Sequence, residues 1–527
     1  MRVIVIAAAV ALAIGQADAP YDLLIANGTV VDGSGARPRR ADVAVRNGVV
    51  VKIDRLGNVA ARQTIDAAKH IVAPGFIDVH THADDLATQP TADNFVRMGV
   101  TTVVAGNCGA SPVDVGAALA AIRDRGASVN FATLVGHNSV RREVMGTERR
   151  APTAGELTRM KGLVWRAMTD GAVGFSTGLQ YVPGTYADHV EIVELARVAA
   201  RAGGLYASHM RNEGSEIEKS VAETIAVGEA AGCPVQISHL KIDSPKRWGA
   251  SVASLRLIDQ ARRRGVKVIA DQYVYTAASS SLGIRFPSWA LEGGQARINE
   301  RLDDDATWSR VREEMRGLLE ERGLADYSFA IIADYRADRS LNGLSIKQVA
   351  ARWHKREDLG TQFEVMRTML RAGGASMVYH FMSEEDIGRI AQYPHVAFAS
   401  DGSLVEPEQG MPHPRSYGNA VRVLARYVRE RGLLTVEEAV RRMTSLPAEH
   451  FRFVRRGLLK EGYAADIVVF DAATVRDTAT YEKPHAYAEG VSHVVVNGTV
   501  VVRHGEHTRQ RPGTVLKGPA PSEPAVP

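Results

Sequence analysis

Short runs of β-branched and apolar residues alternate with longer amphipathic stretches through the middle of this 527-residue chain. Such alternation is typical of β–α units that build a parallel sheet. The pattern predicts strands near 75–82, 100–107, 131–137, 171–177, 204–210, 234–240, 266–273, 376–380 and 396–401. Eight repeats over this length favour a closed barrel over an open sheet. One of the nine candidates is therefore in excess, and we expect 376–380 to lie outside the barrel.

The two ends of the chain have a different pattern. Short β-branched runs are interrupted by Asn-Gly pairs, which is hairpin chemistry. The pairs are Asn27-Gly28, Asn47-Gly48 and Asn497-Gly498. The simplest arrangement pairs both ends in one small β-sandwich, into which the rest of the chain is inserted. The alternation of strand and helix patterns in the middle of the chain also stops between about 283 and 350. There a charged helical stretch predicts a small inserted domain that could cover the barrel mouth.

The predicted fold is therefore α/β, a (β/α)8 TIM-like barrel inserted in a small β-sandwich, with an additional small domain. We assign 20–70 and 456–511 to the sandwich, 71–282 and 351–455 to the barrel, and 283–350 to the inserted domain. The Pro-rich stretch 512–527 is expected to be a disordered tail.

Residues 1–19 have the layout of a secretory signal peptide. Arg2 precedes an apolar run from Val3 to Gly15, and Ala17-Asp18-Ala19 is a small-x-small cleavage pattern. We expect the protein to be exported, to the periplasm, and a cytoplasmic location is the alternative if this interpretation is wrong. No later stretch is long and apolar enough to predict a membrane span.

The charge balance excludes one class of partner. The formal net charge is +4 and charged residues make up 24% of the chain. Because this imbalance is small for the length and no dense Lys/Arg run occurs, nucleic-acid binding is not predicted.

The ends of the predicted strands carry the candidate chemistry. His80 and His82 end the first strand at i and i+2, so their side chains share one face. In a barrel of this kind, active sites gather where the carboxyl ends of the strands meet. Other predicted strands end in Cys108, His209, His239 and Asp401. Cysteine, histidine and carboxylate are the ligands that zinc takes in proteins, so these positions predict a metal site.

The two cysteines are predicted to remain free. Cys233 lies six residues before His239, which is roughly 20 Å along a strand. A disulfide requires Cα atoms within about 7 Å. If Cys108 lies beside His239, Cys233 is at the opposite rim of the barrel and cannot pair with it.

These motifs resemble the amidohydrolase superfamily and, within it, the D-aminoacylase (N-acyl-D-amino-acid deacylase) branch. The resemblance is carried by His80-Thr81-His82, Asn107-Cys108-Gly109, His209-Met210-Arg211-Asn212-Glu213, Ser238-His239-Leu240-Lys241, Ser400-Asp401-Gly402 and His413-Pro414-Arg415. It implies a tight zinc held by Cys108, His209 and His239. It also implies a second, weaker metal position at His80, His82 and Asp401, with Cys108 bridging, and the sequence leaves open whether both are filled.

The implied activity is zinc-dependent hydrolysis of N-acyl-D-amino acids to a carboxylate and a free D-amino acid. Zinc with an open coordination position lowers the pKa of bound water to about 7 and provides hydroxide as the nucleophile. Asp401 is the expected general base and then general acid, since it alone lies at the right strand end.

The substrate is expected to be a small N-acyl amino acid or a dipeptide-like molecule. Arg415 and Lys241 are candidates for binding its carboxylate, because guanidinium matches a carboxylate with two donors and ammonium with a point charge. Tyr181, Tyr273 and Ser279 resemble the family's remaining substrate contacts.

Two other functions compete with this interpretation. One is a cyclic-amide hydrolase or dipeptidase of the same superfamily, against which the bridging position of Cys108 speaks because those enzymes usually use a carboxylated lysine. The other is a non-catalytic barrel that serves as a scaffold, against which the presence of all six ligand positions speaks. The sequence does not predict the acyl group, the preferred side chain or the oligomeric state.

Overall fold

In a computed structural model, which describes residues 21–519, eight parallel strands form the predicted barrel. The strands are Phe76–Asp78, Val100–Ala105, Asn130–Thr133, Gly174–Gly178, Leu205–His209, Val235–Ile237, Val268–Gln272 and Val396–Phe398. The first three pair with one another in parallel, and so do the last five. A short continuation of the third strand, Val135–Gly136, pairs with the fourth and joins the two sets.

The barrel closes between its first and eighth strands. Asp401 N donates to His80 O at 2.8 Å, and Ser400 N donates to the Asp78 carboxylate at 3.0 Å. Beyond these bonds, Thr81–His82 pairs in parallel with Gly402–Ser403. The predicted ligands on the first and last strands are therefore fixed by the backbone pairing that completes the barrel.

Helices cover the outside of the barrel and bury one apolar face each. Ala154–Asp170, for example, begins at a capping box in which the side chains of Thr153 and Glu156 each accept from the other's backbone N–H. Its inner face is apolar, since Met160, Val164 and Met168 are buried. The helices around the barrel are Asp93–Val96, Val115–Arg125, His137–Met145, Ala154–Asp170, His189–Arg201, Ile217–Ala231, Ser251–Arg263, Glu384–Ala391, Arg415–Arg422, the π-helix Val423–Glu430, Val436–Met443 and Ser445–His450.

Both ends of the chain meet in one nine-stranded sheet, as the hairpin patterns predicted. Its strands are Tyr21–Val30, Arg39–Arg46, Val49–Asp54, Ala61–Asp66, Ile71–Pro74, Ile467–Phe470, Val491–Val496, Thr499–Arg503 and Glu506–His507. The two halves join where Ile71–Pro74 pairs antiparallel with Ile467–Phe470. Ile25, Val43, Ile467 and Val495 belong to a separate apolar core inside this sheet, which makes it the expected sandwich.

The inserted domain is wider than the predicted 283–350. Its three-stranded antiparallel sheet consists of Ala277–Ser281, Ala330–Asp334 and Ser376–His380, with the last strand in the middle. The stretch 376–380 therefore lies outside the barrel, as predicted. It pairs with Ala277–Ser281, so the insert extends beyond 283–350 on both sides. The helices of the insert are Gly294–Asp303, Asp305–Arg322, Ile346–His354 and Leu359–Arg371.

The expectation of a disordered tail from residue 512 is wrong for its described part. Gly513 N donates to Ala127 O at 2.7 Å, and Leu516 N donates to Phe131 O at 2.7 Å. Leu516 also packs against the apolar core at the amino-terminal end of the barrel. The tail is ordered because it supplies backbone partners and an apolar side chain to that end.

The amino-terminal segment and the possible membrane spans were also subjects of prediction. The predicted signal peptide, 1–19, lies outside the described residues. Within residues 21–519, no helix has the length and apolar content needed to cross a bilayer.

Candidate metal centre

The Cys108 thiol lies at the centre of the candidate site, at the carboxyl ends of the barrel strands. Its Sγ is 3.3 Å from His80 Nε2 and 3.6 Å from His239 Nε2. Asp401 Oδ1 lies 3.4 Å from His80 Nε2 and 3.0 Å from His82 Nε2. The ligand atoms of His80, Cys108, His239 and Asp401 are all within 4.8 Å of one another, and these four side chains are buried.

His209 completes the set on the other side of His239. The two imidazole ring centroids are 4.5 Å apart. His209, Glu213 and His239 form a second group with ligand atoms within 4.8 Å of one another. The structure thus brings all six sequence-predicted ligands together, while their division between a tight and a weaker position stays a prediction.

The residues present fit zinc. One thiol, four imidazoles and a carboxylate are the donor types that zinc prefers, and the thiol in particular selects zinc over magnesium or calcium. Cys108 is available as a ligand because both cysteines are free and buried, as predicted.

Three of the predicted ligands have left-handed backbone conformations. Cys108, His239 and Asp401 have φ values of 54°, 34° and 50°. Such left-handed conformations cost a residue with a side chain roughly 1 kcal/mol or more, and they persist only where the surroundings hold them. The backbone N–H groups of His239 and Asp401 are held, by Asp271 Oδ1 at 2.8 Å and by His80 O at 2.8 Å.

Two buried carboxylates support the histidines and were not singled out from the sequence. Asp271 Oδ1 lies 3.1 Å from His80 Nδ1, and Glu213 Oε1 lies 2.9 Å from His239 Nδ1. A histidine ligand commonly donates its second ring N–H to a carboxylate, which fixes the ring and its tautomer. The available signals were an Asp inside the apolar run 266–273 and the Glu in the His209–Glu213 motif.

The site favours the anionic forms of its acidic ligands. Burial opposes ionisation of Cys108, but His80 and hydrogen bonds from His209 and His239 outweigh it and hold the pKa of the thiol well below its usual range. Burial likewise opposes ionisation of Asp401, and Arg415 with the neighbouring imidazoles holds the pKa of that carboxyl well below its usual range.

An open cavity of about 320 Å³ leads to this centre. His82, Cys108 and Asp401 line it, and so do three of the predicted substrate contacts, Tyr181, Ser279 and Arg415. Arg415 Nη1 forms an ion pair with Asp401 Oδ2 at 2.8 Å. Ser280, next to Ser279, donates to the Tyr181 hydroxyl at 3.3 Å.

The other two predicted substrate contacts, Lys241 and Tyr273, are not among the residues that line this cavity. Lys241 Nζ donates to Glu213 Oε1 at 2.6 Å and lies 2.8 Å from His239 Nδ1. Tyr273 is buried, and the Arg415 guanidinium stacks 4.5 Å above the centroid of its ring. Their roles toward substrate stay predictions.

A second, inner cavity of about 190 Å³ lies between the barrel mouth and the insert. It adjoins the metal centre through Gln180, whose Oε1 is 3.0 Å from His209 Nε2. Three arginines line it. Arg211 pairs with Glu223 at 2.9 Å and Arg322 faces Asp243 at 3.8 Å. Arg285 is 5% exposed and has no carboxylate within ion-pair distance among residues 21–519.

Comparisons with known proteins identify the family of this chain. Residues 63–502 match the profile described as Amidohydrolase family. The N-acyl-D-glutamate deacylase of Alcaligenes xylosoxydans xylosoxydans is 38% identical over 94% of this chain and 96% of its own length. The D-aminoacylase of the same organism is 37% identical over 94% of this chain and 98% of its own.

A solved structure is similar over the same extent. The N-acyl-D-glutamate deacylase of Bordetella bronchiseptica, in complex with zinc and a phosphonate that mimics the tetrahedral intermediate, superposes with a TM-score of 0.81 at 37% identity. The match covers 95% of this chain and 100% of that one.

The two cysteines should differ sharply in reactivity once metal is removed. Burial raises the pKa of Cys233 to about 12, whereas the Cys108 pKa is lowered and its side chain lines the open cavity. Since the thiolate is the reactive form, iodoacetamide at pH 7 should modify Cys108 well before Cys233 in chelator-treated protein. Peptide mass mapping measures both sites.

Zinc added before iodoacetamide should protect Cys108. The control variant Cys233→Ser should leave the modification rate of Cys108 unchanged. Equal rates with and without zinc would contradict the assignment of Cys108 as a metal ligand.

Proposed function

Because this chain belongs to the amidohydrolase family, we propose that it hydrolyses the amide bond of N-acyl-D-amino acids and releases a carboxylate and a free D-amino acid. The observation that carries the proposal is that the ligand atoms of His80, Cys108, His239 and Asp401 lie within 4.8 Å of one another beside an open cavity. The named relatives that share this length of chain are deacylases of N-acyl-D-amino acids.

The residues that would hold zinc are Cys108, His209 and His239 for a tight site, and His80, His82 and Asp401 for a weaker one. Zinc bound there supplies activation of water near neutral pH and polarisation of the amide carbonyl.

Asp401 is the residue that moves the proton. Its carboxylate lines the cavity, accepts the proton of the attacking water and then gives it to the departing nitrogen. The low pKa of this carboxyl keeps it ionised at neutral pH. An Asp bonded to two imidazoles and an arginine is also fixed in orientation, so little reorganisation precedes the transfer.

Arg415 is the residue that would hold the α-carboxylate of the substrate. Its guanidinium can donate two parallel hydrogen bonds to a carboxylate, and it lines the same cavity as Asp401. Because Arg415 already lies 2.8 Å from Asp401, a substrate held by it would present its amide nitrogen close to the proton-transfer residue. Tyr181 and Ser279 offer hydroxyl groups along the same wall.

The inner cavity favours an acidic amino-acid side chain over an apolar one. A buried guanidinium without a counter-charge is costly, and a ligand carboxylate would remove that cost. Arg285 is in this position: among the described residues its Nε has no hydrogen-bond partner and its guanidinium no carboxylate partner, while the rings of Tyr379 and Phe381 lie 4.3 and 5.3 Å from it. We therefore propose N-acyl-D-glutamate or N-acyl-D-aspartate as the substrate class.

Paired N-acetyl-D- and N-acetyl-L-amino acids test the reaction directly. We expect zinc-dependent release of free amino acid from the D substrates, and Asp401→Asn should lower kcat by at least about 100-fold because the proton acceptor is lost. Amine release and zinc content should be measured on the same samples.

Turnover of hydantoin or dihydropyrimidine rings in place of the linear amides would support the cyclic-amide alternative. Bound zinc without turnover of any amide would support the scaffold alternative. Full activity of Asp401→Asn would show that the proton-transfer role is misassigned.

The variant Arg285→Gln tests whether the enzyme prefers a substrate with an acidic side chain. Since this change removes the unpaired charge, kcat/KM for N-acetyl-D-glutamate should fall about 100-fold, while kcat/KM for N-acetyl-D-leucine should change by less than about threefold. Arg211→Gln is the matched control, because Arg211 lines the same cavity but Glu223 already neutralises it. An equal loss with both substrates in Arg285→Gln would argue against a carboxylate partner.

We also propose that the chain is exported, on the strength of the charged, apolar and small-residue order of residues 1–19. Expression of the full chain in a Gram-negative host should give periplasmic protein shortened by about 19 residues, measured by intact mass. Replacing Ala8 and Val10 by Asp should keep the protein in the cytoplasm at full length. Full-length cytoplasmic protein from the unaltered chain would contradict export.

A further inference from the structure

Asp271 is a buried carboxylate for which the proposed reaction has no use. It lies in the seventh barrel strand, Val268–Gln272, and is completely buried. Its Oδ1 is 3.1 Å from His80 Nδ1 and accepts from His239 N at 2.8 Å. Its Oδ2 accepts from Gln236 Nε2 at 2.6 Å. One carboxylate therefore contacts predicted ligands on two different strands.

We propose that Asp271 is a positioning residue that sets the metal affinity of the position formed by His80, His82 and Asp401. This inference rests on the proposed function, because it concerns the metal that function requires. Asp271 would act by orienting one imidazole: it holds His80 so that a single ring nitrogen is available to the metal.

The hydrogen-bonding capacity of imidazole gives the reason. A neutral imidazole has one N–H and one lone pair, on different ring nitrogens. With its Nδ1–H donated to Asp271, His80 presents the lone pair of Nε2. That nitrogen faces Cys108 Sγ at 3.3 Å and Asp401 Oδ1 at 3.4 Å. The carboxylate thus fixes the tautomer, the rotation of the ring and its basicity together.

Glu213 has the corresponding contact with the other set of ligands. Its Oε1 lies 2.9 Å from His239 Nδ1, whereas Asp271 touches His239 only at the backbone N–H. The ring of His239 therefore keeps its own carboxylate when Asp271 is altered. For this reason we expect Asp271 to act mainly on the position that contains His80.

Asp78 offers a matched comparison for a purely structural role. It is also a buried Asp on a barrel strand, and it accepts from His80 N at 3.2 Å and from Ser400 N at 3.0 Å. These bonds hold the backbone where the barrel closes. Within residues 21–519, Asp78 contacts His80 at its backbone N–H and not at a ring nitrogen, and Nδ1 of the ring is taken by Asp271. Asp78→Asn therefore tests barrel support without altering the imidazole partner.

The experiment measures zinc binding by metal-depleted full-length protein in competition with a chromogenic chelator. We expect Asp271→Asn to weaken the lower-affinity zinc about 10- to 100-fold and to change the tighter zinc by less than about threefold. Asp78→Asn should change both by less than about threefold. Zinc affinity is read without any substrate, so failure of the proposed deacylase reaction would leave this result intact.

Asp271→Asn should preserve the fold. An amide oxygen can still accept from His239 N, and Gln236 Oε1, which has no partner among the described residues, can accept from the new amide N–H after a flip of the Gln236 side chain. Thermal unfolding of both variants checks this point. If Asp271→Asn does not fold, Asp271→Glu keeps the charge but displaces it, and it should also weaken the lower-affinity zinc selectively.

A double-mutant cycle separates positioning from general support. In a His80→Ala background, Asp271→Asn should have no further effect on zinc affinity, since the ring it orients is gone. Equal weakening of both zinc ions, or an undiminished effect in the His80→Ala background, would overturn the proposal. So would a zinc affinity that Asp271→Asn leaves unchanged.

Discussion

The closure of the barrel between its first and eighth strands is the constraint on which the site depends. His80 and Asp401 lie far apart in the chain, yet one backbone hydrogen bond of 2.8 Å joins them where the last strand meets the first. The same register sets His82 beside Asp401 and sets Asp78 against Ser400 N. A shift of one residue in this pairing would turn alternate side chains to the other face and separate the carboxylate from both imidazoles.

Charge compensation explains why so many ionisable groups can share a buried space. Cys108 and Asp401 are held in their anionic forms by the imidazoles and by Arg415. Glu213 is matched by Lys241 and Asp271 by His80. In a region of low polarity, each of these groups would be expensive alone and is tolerated because its partner lies within hydrogen-bond distance. Among the described arginines that line the inner cavity, Arg285 is the one without a carboxylate partner, and this cavity is large enough for part of a ligand.

Much of the fold was predictable because it follows from repeated local patterns. Apolar strands that end in a polar residue indicated both the barrel and the rim at which His80, Cys108, His209, His239 and Asp401 meet. The extent of the insert was not predictable, since Ala277–Ser281 and Ser376–His380 become part of it only by pairing across about 100 residues of chain. Asp271 and Glu213 were missed for a related reason: a buried carboxylate looks like any other Asp or Glu until its partner on another strand is known.

The ordered segment 513–518 has a consequence for how the molecule is made. It binds the amino-terminal end of the barrel through Ala127 and Phe131, and the neighbouring sandwich likewise needs strands from both termini. During synthesis, these contacts form only after residues 513–518 have left the ribosome. Until then the nascent chain carries half a sandwich and a barrel whose amino-terminal end is not yet covered, so the whole unit can complete its folding only after residue 518 has been made.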